Sequence, residues 1–282
     1  MTAQTTNTPL DSIPASTADP EGPPAGWWRW VLDGQALGCL APVHQQLLAG
    51  WGLGEASGEA LSWSMHSGAS DAPSRSAWLA ALALRLREAG WVRGWRDERY
   101  RCQLPGPGGP ARHEAPADGP VFFELERAAY RFFGLTSQAV HVHGVDASGA
   151  LWCGRRALHK ATDPGRLDNL AAGGLPAGED LMDCARRELW EEAGVPAALC
   201  APLRQMGRLR TARVEPEGWH EEWLHVFELP LPAGFVPRNQ DGEVSGFERL
   251  APIEVARRID EQDFSPDAAV VSRFWLDVRA QG

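Results

Sequence analysis

Lysine is almost missing from this chain: of its 27 Lys and Arg residues, Lys160 alone is a lysine. A genome biased toward arginine codons produces that ratio, so it excludes little, but it singles Lys160 out. The 5 cysteines (Cys39, Cys102, Cys153, Cys184, Cys200) are odd in number and form no C-x-x-C pair. That argues against a disulfide framework and a zinc ribbon, and it reads as the reduced thiols of a cytoplasmic protein. No apolar run approaches the ~20 residues that span a bilayer, so no membrane partner is expected. The first residues lack the basic start and apolar segment of a secretory signal, and residues 1–24 read as a disordered lead-in rich in Pro, Ala, Thr and Asp. Positive charge is short as well. A formal net charge of −10 makes the overall field repulsive to nucleic acid, though it leaves room for a local phosphate pocket or a metal site. The remainder is ordinary. With 44% hydrophobic and 23% charged residues over a length of 282, the chain suits one large or two modest soluble domains.

Against that background, residues 173–195 stand out: GGLPAGEDLMDCARRELWEEAGV. The segment Leu181–Ala193 holds good helix formers with neither Pro nor Gly, and Gly194 followed by Val195-Pro196 stops the helix. At about 100° per residue, Leu181, Ala185, Glu188 and Glu192 fall on one stripe, beside the apolar Met182, Leu189 and Ala193. Glu188 and Glu192 therefore sit at the edge of the buried face, with Glu191 flanking them. Like charges at i,i+4 repel by ~0.2–0.5 kcal/mol, and desolvating carboxylates costs more. A merely solvated acidic face would lie on the other side. A hard divalent cation with oxygen ligands removes the conflict. Ahead of the helix, residues 170–178 are glycine-rich, which lets backbone approach a ligand closely.

Gly173, Glu179, Arg187, Glu188, Glu191, Glu192, Gly194 and the aliphatic Val195 fill every fixed position of G-x5-E-x7-R-E-U-x-E-E-x-G-U, where U is aliphatic. The stretch thus resembles the Nudix box, and a match with so many fixed charges and spacings is specific. The resemblance implies an α/β/α sandwich and a Mg2+-dependent hydrolase, with Mn2+ as an alternative ion. Its substrate would be a small molecule in which a diphosphate is linked to another moiety. By the same resemblance Glu188, Glu191 and Glu192 bind the metal and the carbonyl of Gly173 joins its shell. Arg187 orients the glutamates, and Glu179 completes the catalytic set.

The rest of the chain divides near residue 134. An aromatic-rich start at 27–30 is followed by scattered apolar positions over 35–52, including a short helix near 42–48. Residues 78–89 read as an amphipathic helix capped by Ser74 or Ser76 and stopped by Gly90. Residues 91–104 alternate like a strand, 105–120 form a Pro/Gly loop, and 121–133 read as a strand running into a helix, with Glu124, Glu126 and Arg127 in solvent. Beyond Gly134, 139–145 and 150–156 read as a hairpin turning at 146–149. Residues 203–214 and 223–229 read as strands, and Pro252–Asp260 and 266–278 as helices. The expected organisation is a disordered tail (1–24), a smaller α+β accessory domain (25–133) and an α/β Nudix domain (134–282). Core packing accounts for most of the 13 tryptophans, and a ring-stacking surface for one or two.

Further segments narrow the resemblance: WVRGWRDE at 91–98, ERAA at 126–129, FGLT at 133–136, PGRLDN at 164–169 and FVPRNQDGEV at 235–244. They are similar to a Nudix subgroup with an extra N-terminal domain, and to the Nudix part attached to thiamin pyrophosphokinase in some fungi. From about residue 25 onward, that similarity implies hydrolysis of thiamin diphosphate, and preferentially of damaged or toxic analogues such as oxythiamin diphosphate. The products would be the monophosphate and phosphate. The subgroup's Arg-Arg-Ser-Lys-x-Lys run here reads Arg155-Arg156-Ala157-Leu158-His159-Lys160, one cation fewer. Arg155, Arg156 and Lys160 are candidates for the terminal phosphate, with a solvated basic loop as the alternative. Glu222 and Glu243 match acids of the subgroup and are candidates for a further metal ligand or a water-activating base. Asn169 and Glu243 are also candidates for contact with substrate. His141 and His143 share a strand face and read as strand residues with satisfied hydrogen bonds.

Rival functions are open to comparison. Isopentenyl-diphosphate isomerases share the fold but carry a cysteine in an Asn-Thr-x-Cys context, and Asp168-Asn169-Leu170-Ala171-Ala172 has no thiol. A non-catalytic binding module needs a degenerate box, and this box is intact. ADP-ribose, dinucleotides and coenzyme A stay open as substrates, as does the oligomeric state.

Overall fold

The tryptophan-rich start folds as a hairpin, β1 (Trp28–Leu32) and β2 (Gln35–Leu40). Between them Asp33 and Gly34 both take positive φ, 48° and 80°, the Asp-Gly turn that suits the twist of a two-residue hairpin. This computed structural model describes residues 22–58, 61–106, 115–160 and 162–280. All but the last three residues of the expected tail, and the middle of the 105–120 loop, lie outside them. After α1 (Pro42–Gly50) come two short strands, β3 (Glu55–Ser57) and β4 (Ser62–Met65). The resulting sheet has the order β2-β1-β4-β3. Helix α2 (Ala72–Glu88) starts earlier than expected, because Asp71 and not a serine caps it: the Asp71 carboxylate accepts the Ser74 N–H at 2.7 Å.

The strand expected over 91–104 shrinks to β5 (Arg99–Gln103), since Gly94 and Asp97 turn the chain at positive φ of 70° and 58°. It pairs with β6 (Val121–Glu126), and α3 (Tyr130–Phe133) follows. Glu126, expected in solvent, is buried because its Oε1 accepts the backbone N–H groups of Arg96 and Ala128. Trp30, Phe123 and Phe133 are fully buried at the centre of this N-terminal α+β region.

The C-terminal part holds β7 (Thr136–Val145), β8 (Leu151–Arg156), β9 (Leu167–Asp168), β10 (Ala171–Gly174), α4 (Leu181–Ala193), β11 (Arg204–Glu215), β12 (Gly218–Pro230), β13 (Val244–Leu250), α5 (Pro252–Asp260) and α6 (Pro266–Ala280). Its mixed sheet runs β11-β12-β7-β8-β13, with β10 on β7 and β9 on β8. Side chains alternate across it. Val140, Val142, Phe227 and Leu229 pack with Leu189 and Ala193 of α4, whereas Ala139, Leu224 and Val226 pack with Val271 and Phe274 of α6. Helices thus cover both faces in an α/β/α arrangement. Among the described residues, no helix is long and apolar enough to cross a membrane.

Glu228 fixes α6 to the sheet. Its fully buried carboxylate accepts hydrogen bonds from Trp275 Nε1 and from the Nη2 atoms of Arg204 and Arg279, each at 2.7 Å. Burial pushes its pKa up, but these donors outweigh burial and hold it below the ordinary value. A depressed folded pKa contributes stability above the unfolded pKa and loses it as pH falls through the folded one. Glu228→Ala should therefore destabilise the fold by about 2–4 kcal/mol near neutral pH, and by less in acid. Urea unfolding near pH 7 and near pH 3 checks this; an equal loss at both would show that the charge is not what holds α6.

Candidate functional site

Helix α4 is set by its ends. Asp180 Oδ1 accepts the Asp183 N–H at 2.8 Å, and Gly194 closes the helix in the left-handed region at φ 64°. Between these caps the buried residues are Cys184, Ala185, Glu188, Leu189, Glu192 and Ala193. The two glutamates share the buried stripe with apolar neighbours, as the spacing predicts. Opposite them runs β10. A Cβ on Gly173 would lie 2.0 Å from Glu188 Oε1, so only glycine leaves that carboxylate its place. The next backbone amide, Ala172 N–H, donates to Glu192 Oε2 at 2.9 Å.

Two cations link the carboxylates. Arg187 reaches both oxygens of Glu179 (2.8 and 3.1 Å), while its Nη1 donates to Glu188 Oε1 at 2.8 Å and Glu191 Oε2 at 2.9 Å. Lys160 Nζ bonds Glu243 and stands 3.7 Å from Glu192 Oε1. Burial raises Glu188 to about 7, opposed by Arg187 and reinforced by Glu191 and Glu243. Burial likewise raises Glu192 to about 8, opposed by Lys160 and reinforced by Glu188 and Asp168. Glu243 is held below its ordinary value, where Lys160 and Arg96 outweigh partial burial.

Not every candidate residue joins this cluster. Arg155 is spent on Glu248, Asp263 and the Gly165 carbonyl, and Arg156 on Asp168 and the Thr162 carbonyl. Neither guanidinium points a free edge at the box, so Lys160 is the one cation of the 155–160 run that reaches it. Asn169 is 2% exposed, and its amide is committed to His141, His143 and Ser272 on the α6 face. That network satisfies His141, but His143 Nε2 is left buried without a hydrogen-bond partner. Glu222 also lies on the α6 face, bonded by Ser137 Oγ at 2.7 Å, away from α4. Strand parity explains both displacements, because a neighbour in sequence can face the opposite side of the sheet.

What the sequence did not reveal is the reach of the N-terminal region. The Arg99 carbonyl accepts the Ala177 N–H at 2.7 Å, Arg101 donates to the Glu179 carbonyl, and Arg96 Nη1 lies 3.5 Å from Glu243 Oε1. The Tyr100 hydroxyl fills the space beside Gly174, where a Cβ would be 1.6 Å away. Arginines at alternate positions 99 and 101 were visible, but nothing in sequence said which surface they meet.

The donor set fits a hard divalent cation. It is all oxygen: Glu188, Glu191, Glu192, Glu243 and the backbone of Gly173, which has no Cβ to push the helix away. Glu179, Glu188, Glu191, Glu192 and Glu243 outnumber the cations among them, Arg187, Lys160 and Arg96, leaving an excess of negative charge.

Comparison with known proteins gives the family. The profile of the NUDIX domain matches residues 136–273. Nudix hydrolase 24, chloroplastic, of Arabidopsis thaliana is 38% identical over 54% of this chain and 42% of its own length. Nudix hydrolase 20, chloroplastic, of the same plant is 36% identical over 64% of this chain and 46% of its own. The chain thus spans under half the length of these two plant relatives. An uncharacterized Nudix hydrolase of Pseudomonas aeruginosa is 31% identical over 54% of this chain and 85% of its own. With an intact box on α4 and an extra α+β region ahead of it, the chain belongs to the Nudix hydrolase family.

Proposed function

We propose that the protein is a Mg2+-dependent pyrophosphohydrolase of small diphosphate compounds. One observation carries this reading: Glu188, Glu191 and Glu192 on α4 meet Glu243 beside Gly173, with more carboxylates than cations to neutralise them. Those four acids and the Gly173 carbonyl would hold the ion. When bound, Mg2+ supplies Lewis acidity toward the phosphoryl oxygens and screens the charge of the diphosphate. The chain's own residues do the rest. Arg187 keeps Glu188 and Glu191 in register by spanning both from one Nη1, while Glu179 anchors the far edge of its guanidinium. Lys160 and Arg96 present positive charge at Glu243, where a terminal phosphate would compete for them.

The finer reading is that the substrate is thiamin diphosphate or a damaged analogue such as oxythiamin diphosphate, cleaved to the monophosphate and phosphate. It rests on the similarity of 164–169 and 235–244 to the subgroup linked with thiamin pyrophosphokinase, and the second of these segments carries Glu243. A groove of about 540 Å3 opens in the N-terminal region, lined by Ala77, Ala80, Leu84, Trp95 and the paired Arg99 and Glu124. A ring that has lost an amino group changes its hydrogen-bond pattern, and a buried polar group left unpaired discriminates strongly. Steady-state kinetics with oxythiamin diphosphate, thiamin diphosphate, ADP-ribose and NADH should give the highest kcat/KM for oxythiamin diphosphate. A higher value for ADP-ribose or NADH removes the thiamin reading and leaves the pyrophosphohydrolase; no Mg2+-dependent turnover of any diphosphate removes both.

A further inference from the structure

On the sheet face away from α4, His220 and Glu222 of β12 meet Asp267 in the first turn of α6. We propose that these three residues form a second metal site, specific for a transition-metal dication such as Zn2+, that pins α6 to the β11–β12 hairpin. His220 is 6% exposed, and its Nε2 is buried without a hydrogen-bond partner. That nitrogen points between two carboxylates, 3.8 Å from Glu222 Oε2 and 3.7 Å from Asp267 Oδ2. Both distances are too long for a hydrogen bond. They are close to the roughly 3.4 Å that separates ligand atoms around a tetrahedral zinc with bonds of ~2.0–2.1 Å. All three ligand atoms lie within 4.8 Å of one another.

The surroundings hold the ligands ready. Ser137 Oγ donates to Glu222 Oε1 at 2.7 Å, leaving Oε2 toward the imidazole. Arg213 grips Asp267 through Nη1 and Nη2 at 2.7 and 3.0 Å, which fixes the carboxylate's orientation. Partners of this kind commonly orient metal ligands. Charge points the same way. Asp267 and Glu215 share one guanidinium, Arg213, while Glu222 has Arg127 nearby, a cation it shares with Glu98, and Arg210 pairs with Glu221. The four carboxylates Asp267, Glu215, Glu222 and Glu98 thus exceed the two guanidiniums Arg213 and Arg127 by two charges, which a dication balances. One imidazole nitrogen with two carboxylate oxygens favours zinc over magnesium, whereas the all-oxygen box suits the harder ion. Glu222 thus serves a metal, but not the one at α4.

Equilibrium dialysis of the metal-stripped full chain against Zn2+, followed by metal analysis, tests the assignment. The wild type should retain one more zinc per chain than His220→Gln, and Glu222→Gln should show the same loss. Zn2+ should raise the Tm of the wild type and of Glu192→Gln, which leaves this site intact, and should raise that of His220→Gln by less, because only the carboxylate box then binds the ion. If either folded variant binds as much zinc as the wild type, or keeps the full zinc-dependent rise in Tm, the site does not exist as described.

Discussion

Glu192→Gln should lower kcat with saturating Mg2+ by roughly 10^2–10^4-fold while leaving Tm unchanged or slightly higher. Glutamine has nearly the same shape, and its amide oxygen can still accept the Ala172 N–H that Glu192 Oε2 holds at 2.9 Å. What disappears is the charge. Glu192 is 6% exposed, so its ionised form is poorly solvated and contributes little to folding. A residue kept for stability would show the opposite pattern, a falling Tm with preserved turnover. Glu191→Gln should act in the same direction, although its side chain is more exposed and Arg187 can keep its contact through the amide oxygen. Initial rates over a Mg2+ titration, with thermal melts alongside, separate the two roles. If both variants work within about threefold of wild type, the proposed metal site is misplaced.

How far a sequence could be read depended on how local the deciding interactions were. Helix α4 was legible to the residue because its start, stop and buried stripe all lie within 181–195, where Gly194 and the i,i+4 glutamates leave few alternatives. The partners of the arginines were not legible. Arg155 is claimed by Glu248 and Asp263 from strands and loops far along the chain, so its place in a basic run suggested phosphate when the fold uses it as a brace. Asn169 and Glu222 failed for a different reason. Each lies close in sequence or register to residues that face α4, and a single step along a strand turned them to α6. In the N-terminal region the strands β3 and β4 are 3 and 4 residues long, too short for a period to emerge. Asp33-Gly34, in contrast, is a local hairpin signal that the sequence carries in full.

Gly173→Ala should separate activity from stability more cleanly than any charge change. The added Cβ would fall 2.0 Å from Glu188 Oε1 and 2.2 Å from its Cδ, so the two groups cannot coexist. Gly173 has no positive φ, which makes space and not backbone conformation the issue. The obstructed atoms are the far end of a flexible side chain. The fold can therefore respond by swinging the carboxylate aside, at a cost of about 1 kcal/mol. That movement draws Glu188 from Arg187 Nη1, now at 2.8 Å, and from its place beside Glu191 and Glu192. A displacement near 1 Å at a catalytic centre typically costs about 10^2-fold in rate, so kcat should fall by at least that much while the melt moves only a few degrees. Gly178→Ala is the matching control. It has φ 96° and nothing within 4 Å of the added Cβ, so it strains the loop backbone without touching a carboxylate. Its Tm should fall at least as far as that of Gly173→Ala, with kcat close to wild type. Should Gly173→Ala instead retain full activity, Glu188 does not need the position that the structure gives it, and the carboxylate cluster around Gly173 is not the reaction centre.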